Sequence, residues 1–282
     1  MQMRVYLRRE YLLTPIDMIL LPLVAFFIGI IAAMVGVGGG VFIVPLLTQI
    51  FDFNPVEAVG TSLATIVFTS LSSTVGYSRQ RRTDYKIGVI LTVATIPGAI
   101  AGAYTATIIE PKLLGLIFGF FLIFVACQMM FRLPFPPLLS TKTKKSWHRK
   151  ILDSYGTSFE YEADVRLSFP LSFFGGFFSG LLGIGGGALM VPIMHLTANF
   201  PMHVAVATSM FIMIFTSIPG VATHFFSGTN IHLDYVVFLT LGLIFGAQVG
   251  AYLSKRTSVK NLKRIFGIVL ILVSIRMILK YI

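Results

Sequence analysis

Gly36-Val-Gly-Gly-Gly-Val-Phe-Ile-Val-Pro45 recurs 147 residues later as Gly183-Ile-Gly-Gly-Gly-Ala-Leu-Met-Val-Pro192. A glycine inside a helix costs about 1 kcal/mol relative to alanine, so three in a row mark a helix break. With the same displacement, Thr61-Ser62-Leu63 matches Thr208-Ser209-Met210, and Phe68-Thr69-Ser70 matches Phe215-Thr216-Ser217. Gly98-Ala-Ile-Ala-Gly-Ala-Tyr104 matches Gly246-Ala-Gln-Val-Gly-Ala-Tyr252 one residue further on, and Lys112 and Phe118-Gly119 match Lys260 and Phe266-Gly267. Landmarks in one order make the chain two copies of one unit, about 16–131 and 167–281.

The medium that these copies occupy follows from charge. Of the 282 residues, 56% are hydrophobic and only 12% charged. A soluble domain carries about 25% charged residues, so a water-soluble globule is excluded. Disorder and a disulfide-stapled secreted fold are excluded too, because the chain is apolar and has the single Cys127. The net charge of +11 is no nucleic-acid signal, since the cations cluster at the ends of apolar runs. From Arg9 to Arg79 there is no Lys or Arg, and between Arg166 and Lys255 the only formal charge is Asp234. Such runs read as bilayer spans, with the basic residues obeying the positive-inside rule.

Eight hydrophobic units follow, at about 16–51, 55–76, 87–108, 112–131, 167–198, 202–226, 235–253 and 262–280. A span needs about 20 residues, so the first and fifth are too long, and too interrupted, for one straight helix. The fold class is an all-α polytopic membrane protein: two homologous four-unit helical repeats with broken or re-entrant glycine-containing segments. Its parts are a first transmembrane repeat (1–131), a cytoplasmic linker (132–166) and a second transmembrane repeat (167–282). The apolar run after the N-terminus is too long for a removable signal peptide. Two topologies have equal Lys/Arg totals inside: parallel halves with all units crossing, or inverted halves with the first and fifth units as re-entrant hairpins. The inverted form is favoured slightly, because it brings both glycine tips near the midplane.

A glycine break before a short helix bares backbone N–H groups at the positive end of the helix dipole, and such a site takes anions. Gly36, Gly38, Gly39 and Gly40, with Gly183, Gly185, Gly186 and Gly187, are therefore the leading substrate-binding candidates. The competing reading is close helix packing through small residues. The pairs Thr61-Ser62 and Thr208-Ser209 could donate hydroxyls to an oxyanion, or bond back to their own helix. Ser70, Ser72, Ser73, Thr216 and Ser217 read as packing or cavity lining. Gly98 and Gly102, with Gly246 and Gly250, have the small-x-x-x-small spacing of a helix interface, and Gln248 is a pore-lining candidate. His195, near the second short helix, could carry a proton or touch the anion; His203, His224 and His232 read as interface residues. Arg79, Arg81 and Arg82 read as anchors to cytosolic headgroups. No histidine spacing has a zinc signature, so no metal site is expected.

Together the repeated Gly-x-Gly-Gly-Gly-x-x-x-x-Pro, the Thr-Ser of the next span and the Gly-Ala-x-x-Gly-Ala motif resemble the TauE/SafE family of sulfite and sulfonate exporters. The resemblance covers nearly the whole chain outside 132–166. It implies transport of small sulfur-containing anions, such as sulfite or organosulfonates, across a prokaryotic inner membrane.

Internal duplication itself points to a secondary transporter, here with a small anionic substrate, the lipid bilayer and no nucleic acid as partners. There is no phosphate-binding Gly-x-x-x-x-Gly-Lys-Ser/Thr, so a proton or ion gradient is the expected drive and no cofactor is expected. Nothing has the residues of an enzyme: the acidic residues lie near span ends, and no catalytic triad is present. The alternatives are an anion channel or a non-transporting membrane scaffold. Oligomeric state, a homo-oligomer included, is left open.

Overall fold

The computed structural model describes residues 13–131, 147–254 and 260–282. Its helices are α1 (Pro15–Val35), α2 (Gly40–Gln49), α3 (Pro55–Arg79), α4 (Tyr85–Ile108) and α5 (Pro111–Phe131), then α6 (Val165–Leu182), α7 (Gly187–Thr197), α8 (Met202–Phe226), α9 (Leu233–Leu253) and α10 (Lys260–Tyr281). Starts are written in the sequence. Thr14 and Asp17 form a reciprocal capping box on α1, and Asn54, Asp84 and Asp164 cap α3, α4 and α6. Among the described residues, seven helices are long and apolar enough to cross a bilayer; α2 and α7 are the short apolar pieces after each glycine break. Side chains such as Phe27, Val93, Phe120 and Phe245 are exposed on the outside, where lipid rather than water suits them.

Glycines set which helices touch. A Cβ on Gly242, Gly246 or Gly250 of α9 would overlap the carbonyl oxygen of Pro22, Phe26 or Ile30 of α1, in the same order, so α1 and α9 run parallel. In the other copy a Cβ on Gly98 or Gly102 of α4 would overlap the Phe173 or Phe177 carbonyl of α6, again in parallel. The Gly-Ala-x-x-Gly-Ala stripes are thus helix contacts, each made to the first helix of the other copy.

Directions of the remaining helices follow from cross-links. Ser72 Oγ donates to Ile244 O and Gln80 Nε2 to Ala251 O, both at 2.8 Å, which sets α3 parallel to α9. Gly60 lies against His224 and Gly220 against Leu63, so α3 and α8 are antiparallel. At the other end, Asp84 and Gly88 of the α4 start meet Thr208 near the α8 start. Hence α1, α3 and α9 run one way and α4, α6 and α8 the other, and each helix opposes its twin. Because α1 and α3 share a direction, the chain turns back through the break and α2 before α3 begins; α6, α7 and α8 do the same from the opposite side.

Within the 132–166 linker, the described part is an antiparallel hairpin, β1 (Trp147–Leu152) and β2 (Ser158–Ala163), an addition to the all-α expectation. Its alternation is Phe159, Tyr161 and Ala163 on one face, with Glu160 and Glu162 on the other. The turn is fastened by Asp153 Oδ1, which accepts from the amides of Tyr155 and Thr157. The inner face docks on the α3–α4 loop. Arg149 donates to both oxygens of Asp84 at 2.7 and 2.8 Å, Tyr161 Oη donates to Asp84 Oδ2 at 2.7 Å, and Arg82 pairs with Asp153 at 2.9 Å. Of the three loop arginines read as headgroup anchors, Arg82 is therefore a buried ion-pair partner, whereas Arg79 and Arg81 are exposed.

Burial alone would push the Asp84 carboxyl up, but the bonds from Arg149, Tyr161 and the Ile87 amide outweigh it and hold it below its ordinary range. Asp153 is held low in the same way by Arg82 and by the Thr157 and Tyr155 amides, against its burial. Depressed carboxylates contribute fully above the unfolded value of about 3.9 and lose that contribution as pH falls through the lower folded values. Trp147, the one tryptophan, lies under Lys86 with the ammonium 5.0 Å from its ring. Its fluorescence should stay constant from about pH 8 to about pH 5 and change only below about pH 4. A transition above pH 5 would contradict this docking.

Candidate functional site

Gly36 ends α1 with φ +83°, and its own N–H and that of Val37 both bond Ala32 O. Gly38 and Gly39 continue at φ +79° and +96°, a region closed to most side chains, and α2 starts at Gly40. The second break repeats this, with Gly183, Gly185 and Gly186 at φ +66°, +74° and +85°. The breaks lie against each other. A Cβ on Gly40 would overlap the Gly183 carbonyl oxygen, and one on Gly187 would overlap that of Gly36. Ile66 and its twin Met213 lie beside both Gly38 and Gly185.

The backbone donors here are unspent. Bonding resumes with Phe42 and Ile43 to Gly39 O, and with Leu189 and Met190 to Gly186 O. Among the described residues, the amides of Gly38, Gly39, Gly40 and Val41, and of Gly185, Gly186, Gly187 and Ala188, have no acceptor, and all eight residues are buried. A helix leaves its first four N–H groups orphaned, and a bilayer interior offers no water to satisfy them. Two clusters of donors at the positive ends of α2 and α7 are thus buried against each other inside the protein.

The repeated hydroxyls meet protein groups. Ser62 Oγ donates to Gly183 O at 2.8 Å, and the Ser209 Oγ proton is shared between Gly36 O at 3.1 Å and Val206 O of its own helix at 2.8 Å, so each serine reaches the break of the other copy. Thr61 Oγ1 accepts from the His232 amide and Thr208 Oγ1 from the Asp84 amide, at the N-termini of α9 and α4. These four residues hold the breaks and the helix ends together, with the serine protons directed at carbonyls. His195 sits apart from these groups. It lies exposed at the end of α7 away from the break, and its Nδ1 is 2.7 Å from Phe200 O, which only accepts. Eight residues of helical rise, about 12 Å, separate His195 from Gly187 at the start of α7. Gln248, the pore-lining candidate, bonds Ser72 O at 2.6 Å across α3 and α9. Sequence reasoning did not single out Ile66, Met213 or Ser179, the last of which lies beside Gly186; the 147-residue alignment, which pairs Ile66 with Met213 and Ser179 with Ala32, was the signal available.

Among the described residues, ten helices with two buried glycine breaks make a polytopic α-helical membrane protein. The profile described as sulfite exporter TauE/SafE matches residues 21–277. The chain belongs to the TauE/SafE family. It is similar to the probable membrane transporter protein YunE of Bacillus subtilis (strain 168), 36% identical over 267 residues that cover 92% of this chain and 97% of the relative. A probable membrane transporter protein of Methanocaldococcus jannaschii is 27% identical over 280 residues, covering 93% of this chain and 97% of that one. No solved structure matches the chain significantly. The protein is a multi-pass membrane transporter.

Proposed function

We propose that the protein is a secondary carrier that exports small sulfur-containing anions, such as sulfite or organosulfonates, under a proton or ion gradient. The observation that carries this reading is the pair of buried breaks with eight unspent amides. Neutral dipoles can hold an anion without the fixed countercharge that would retain it. The opposed directions of twin helices support inverted repeats, with α1–α2 and α6–α7 as re-entrant hairpins whose tips meet where such carriers hold substrate. The family's printed description, sulfite exporter, supports the substrate class and the outward direction.

The test replaces Gly39 and Gly186 with valine in separate variants. Both glycines have positive φ, so valine must rebuild the turn that exposes the amides. Purified protein in liposomes should show saturable sulfite uptake with counterflow, which each variant should lose by tenfold or more, and sulfite-induced thermal stabilisation should be lost in at least one of them. Unchanged transport and stabilisation in both variants would show that the breaks are not the site.

A further inference from the structure

The two breaks are twins in sequence but differ in surroundings. The three atoms nearest a Cβ on Gly39 are all apolar side-chain carbons: those of Ile28 and Ile43 at 3.5 Å and of Ala32 at 3.6 Å. At Gly186 the same position faces the Gly175 carbonyl oxygen at 3.3 Å, the Ser179 Cβ at 3.3 Å and the Ser179 Oγ at 3.5 Å. In the 147-residue alignment Gly175 stands for Ile28 and Ser179 for Ala32. The duplication has therefore kept the backbone of the break while making the position beside Gly39 apolar and the one beside Gly186 polar.

Ser179 is fully buried and its Oγ has no hydrogen-bond partner. A helical serine can return its proton to the carbonyl four residues back. Ser172, seven residues earlier on α6, does so to Ser168 O at 2.6 Å. The buried Ser73 and Ser217 also lack a partner, but Ser179 is the one that lies beside a glycine break. The Ser179 carbonyl is in use, accepting from the amides of Gly183 and Ile184, but its hydroxyl is unspent and lies beside Gly186, whose amide is among the unspent donors. A buried donor without a partner has lost its water and gained nothing unless something else arrives.

We propose that the anion is held at the second break, by the N-terminal amides of α7 and the Ser179 hydroxyl, and that the first break is its apolar counterpart. The inference rests on the glycine-break reading above. A sulfite or sulfonate group suits the pair, because it presents several acceptor oxygens on one sulfur. One can face the helix amides while another takes the serine proton. The space beside Gly186 is little more than one carbon deep in this conformation, so loading moves α7 away from α6, which is the motion of a re-entrant hairpin.

The full-length protein is tested by thermal shift with sulfite and, separately, methanesulfonate, on the parent, Ser179→Ala and Ala32→Ser. Ser179→Ala should unfold at the parent's temperature without anion. It should need about ten- to a hundredfold more anion for the same stabilisation, the loss of one hydrogen bond to a charged group. Ala32→Ser should match the parent. If the alanine variant does not fold, Ser179→Cys keeps the shape with a much weaker donor and is read in the same way. A parent that responds to anion alongside an unchanged Ser179 variant would overturn the assignment but leave the glycine-break reading standing. Tighter binding in Ala32→Ser would also overturn it, by moving the anion to the first break. A parent that responds to neither probe would overturn both readings.

Discussion

Valine at Gly102, or at its counterpart Gly250, is expected to abolish monodisperse protein in detergent, whereas Ile100→Ala on the same helix leaves it unchanged. Under Gly102 lie the Phe177 carbonyl oxygen, which any Cβ would overlap, the Phe177 carbonyl carbon at 2.8 Å and the Leu181 amide at 2.9 Å. Those are backbone atoms and cannot turn aside as a side-chain tip can. Gly250 stands in the same relation to the Ile30 carbonyl. The helices would have to separate along their whole contact, because Gly98, Gly176 and Gly180 are fitted to the same seam. One overpacked methylene in a yielding core costs about 1–3 kcal/mol; a wedge against backbone along two parallel helices costs more. In lipid there is little hydrophobic drive to offset it, since close packing is itself the source of association. Ile100 is 44% exposed and faces out, so its truncation removes little. Size-exclusion profiles of the three variants decide the matter, and a normal peak for Gly102→Val would show that the seam is looser than its geometry.

That seam also shows what could be read from the chain and what could not. Helix-interface glycines at 98, 102, 246 and 250 were legible, because small-x-x-x-small spacing has one dominant meaning in an apolar run. Their partners were not: nothing local says that α4 packs on α6 rather than on a helix of its own copy. The same blindness left chain direction undecided, since Lys and Arg totals are equal for parallel and inverted halves. What favours the inverted arrangement is the pairing of Ser72 with Ile244 and of Gln80 with Ala251, which sets α3 parallel to α9. The break positions were legible to the residue, from Gly36 to Gly40 and from Gly183 to Gly187, because positive φ needs glycine. The hydroxyls of Ser62 and Ser209 were recognised as special, but a hydroxyl's type does not reveal whether its proton goes to a ligand or to a carbonyl. The hairpin was hidden by context. Phe159-Glu-Tyr-Glu-Ala163 alternates like a strand, yet it sits in a charged linker, and its anchor Asp84 reads as an ordinary turn residue between two spans.

Arg149→Ala is the second change with a large expected effect: the hairpin should detach while the helices stay assembled. Asp84 has no exposed side-chain surface, caps α4 through the Ile87 amide and takes a two-pronged bond from Arg149, whose side chain is 26% exposed. Removing one partner of a buried pair strands the other charge and costs about 3–5 kcal/mol. A two-stranded hairpin has almost no stability of its own, so that loss exceeds what holds it in place. Arg149→Lys should rescue only in part, because an ammonium cannot reproduce the fork. Adding Asp84→Asn to Arg149→Ala removes the stranded charge and should recover part of the loss, so the two changes together cost less than their sum. Trp147 emission and proteolysis within 147–163 report the release; an Arg149→Ala variant with parental emission would mean that Tyr161 and the Arg82–Asp153 pair suffice. The hairpin also touches the second copy, through Tyr161 against Phe200 and the bond from Asn199 to Glu162 O. It therefore ties the α3–α4 loop of one copy to the turn after α7 of the other, at the end of α7 away from Gly186. If the anion is held at the break, Arg149→Ala should change the rate of sulfite transport and leave the sulfite concentration for half-maximal stabilisation as it is in the parent.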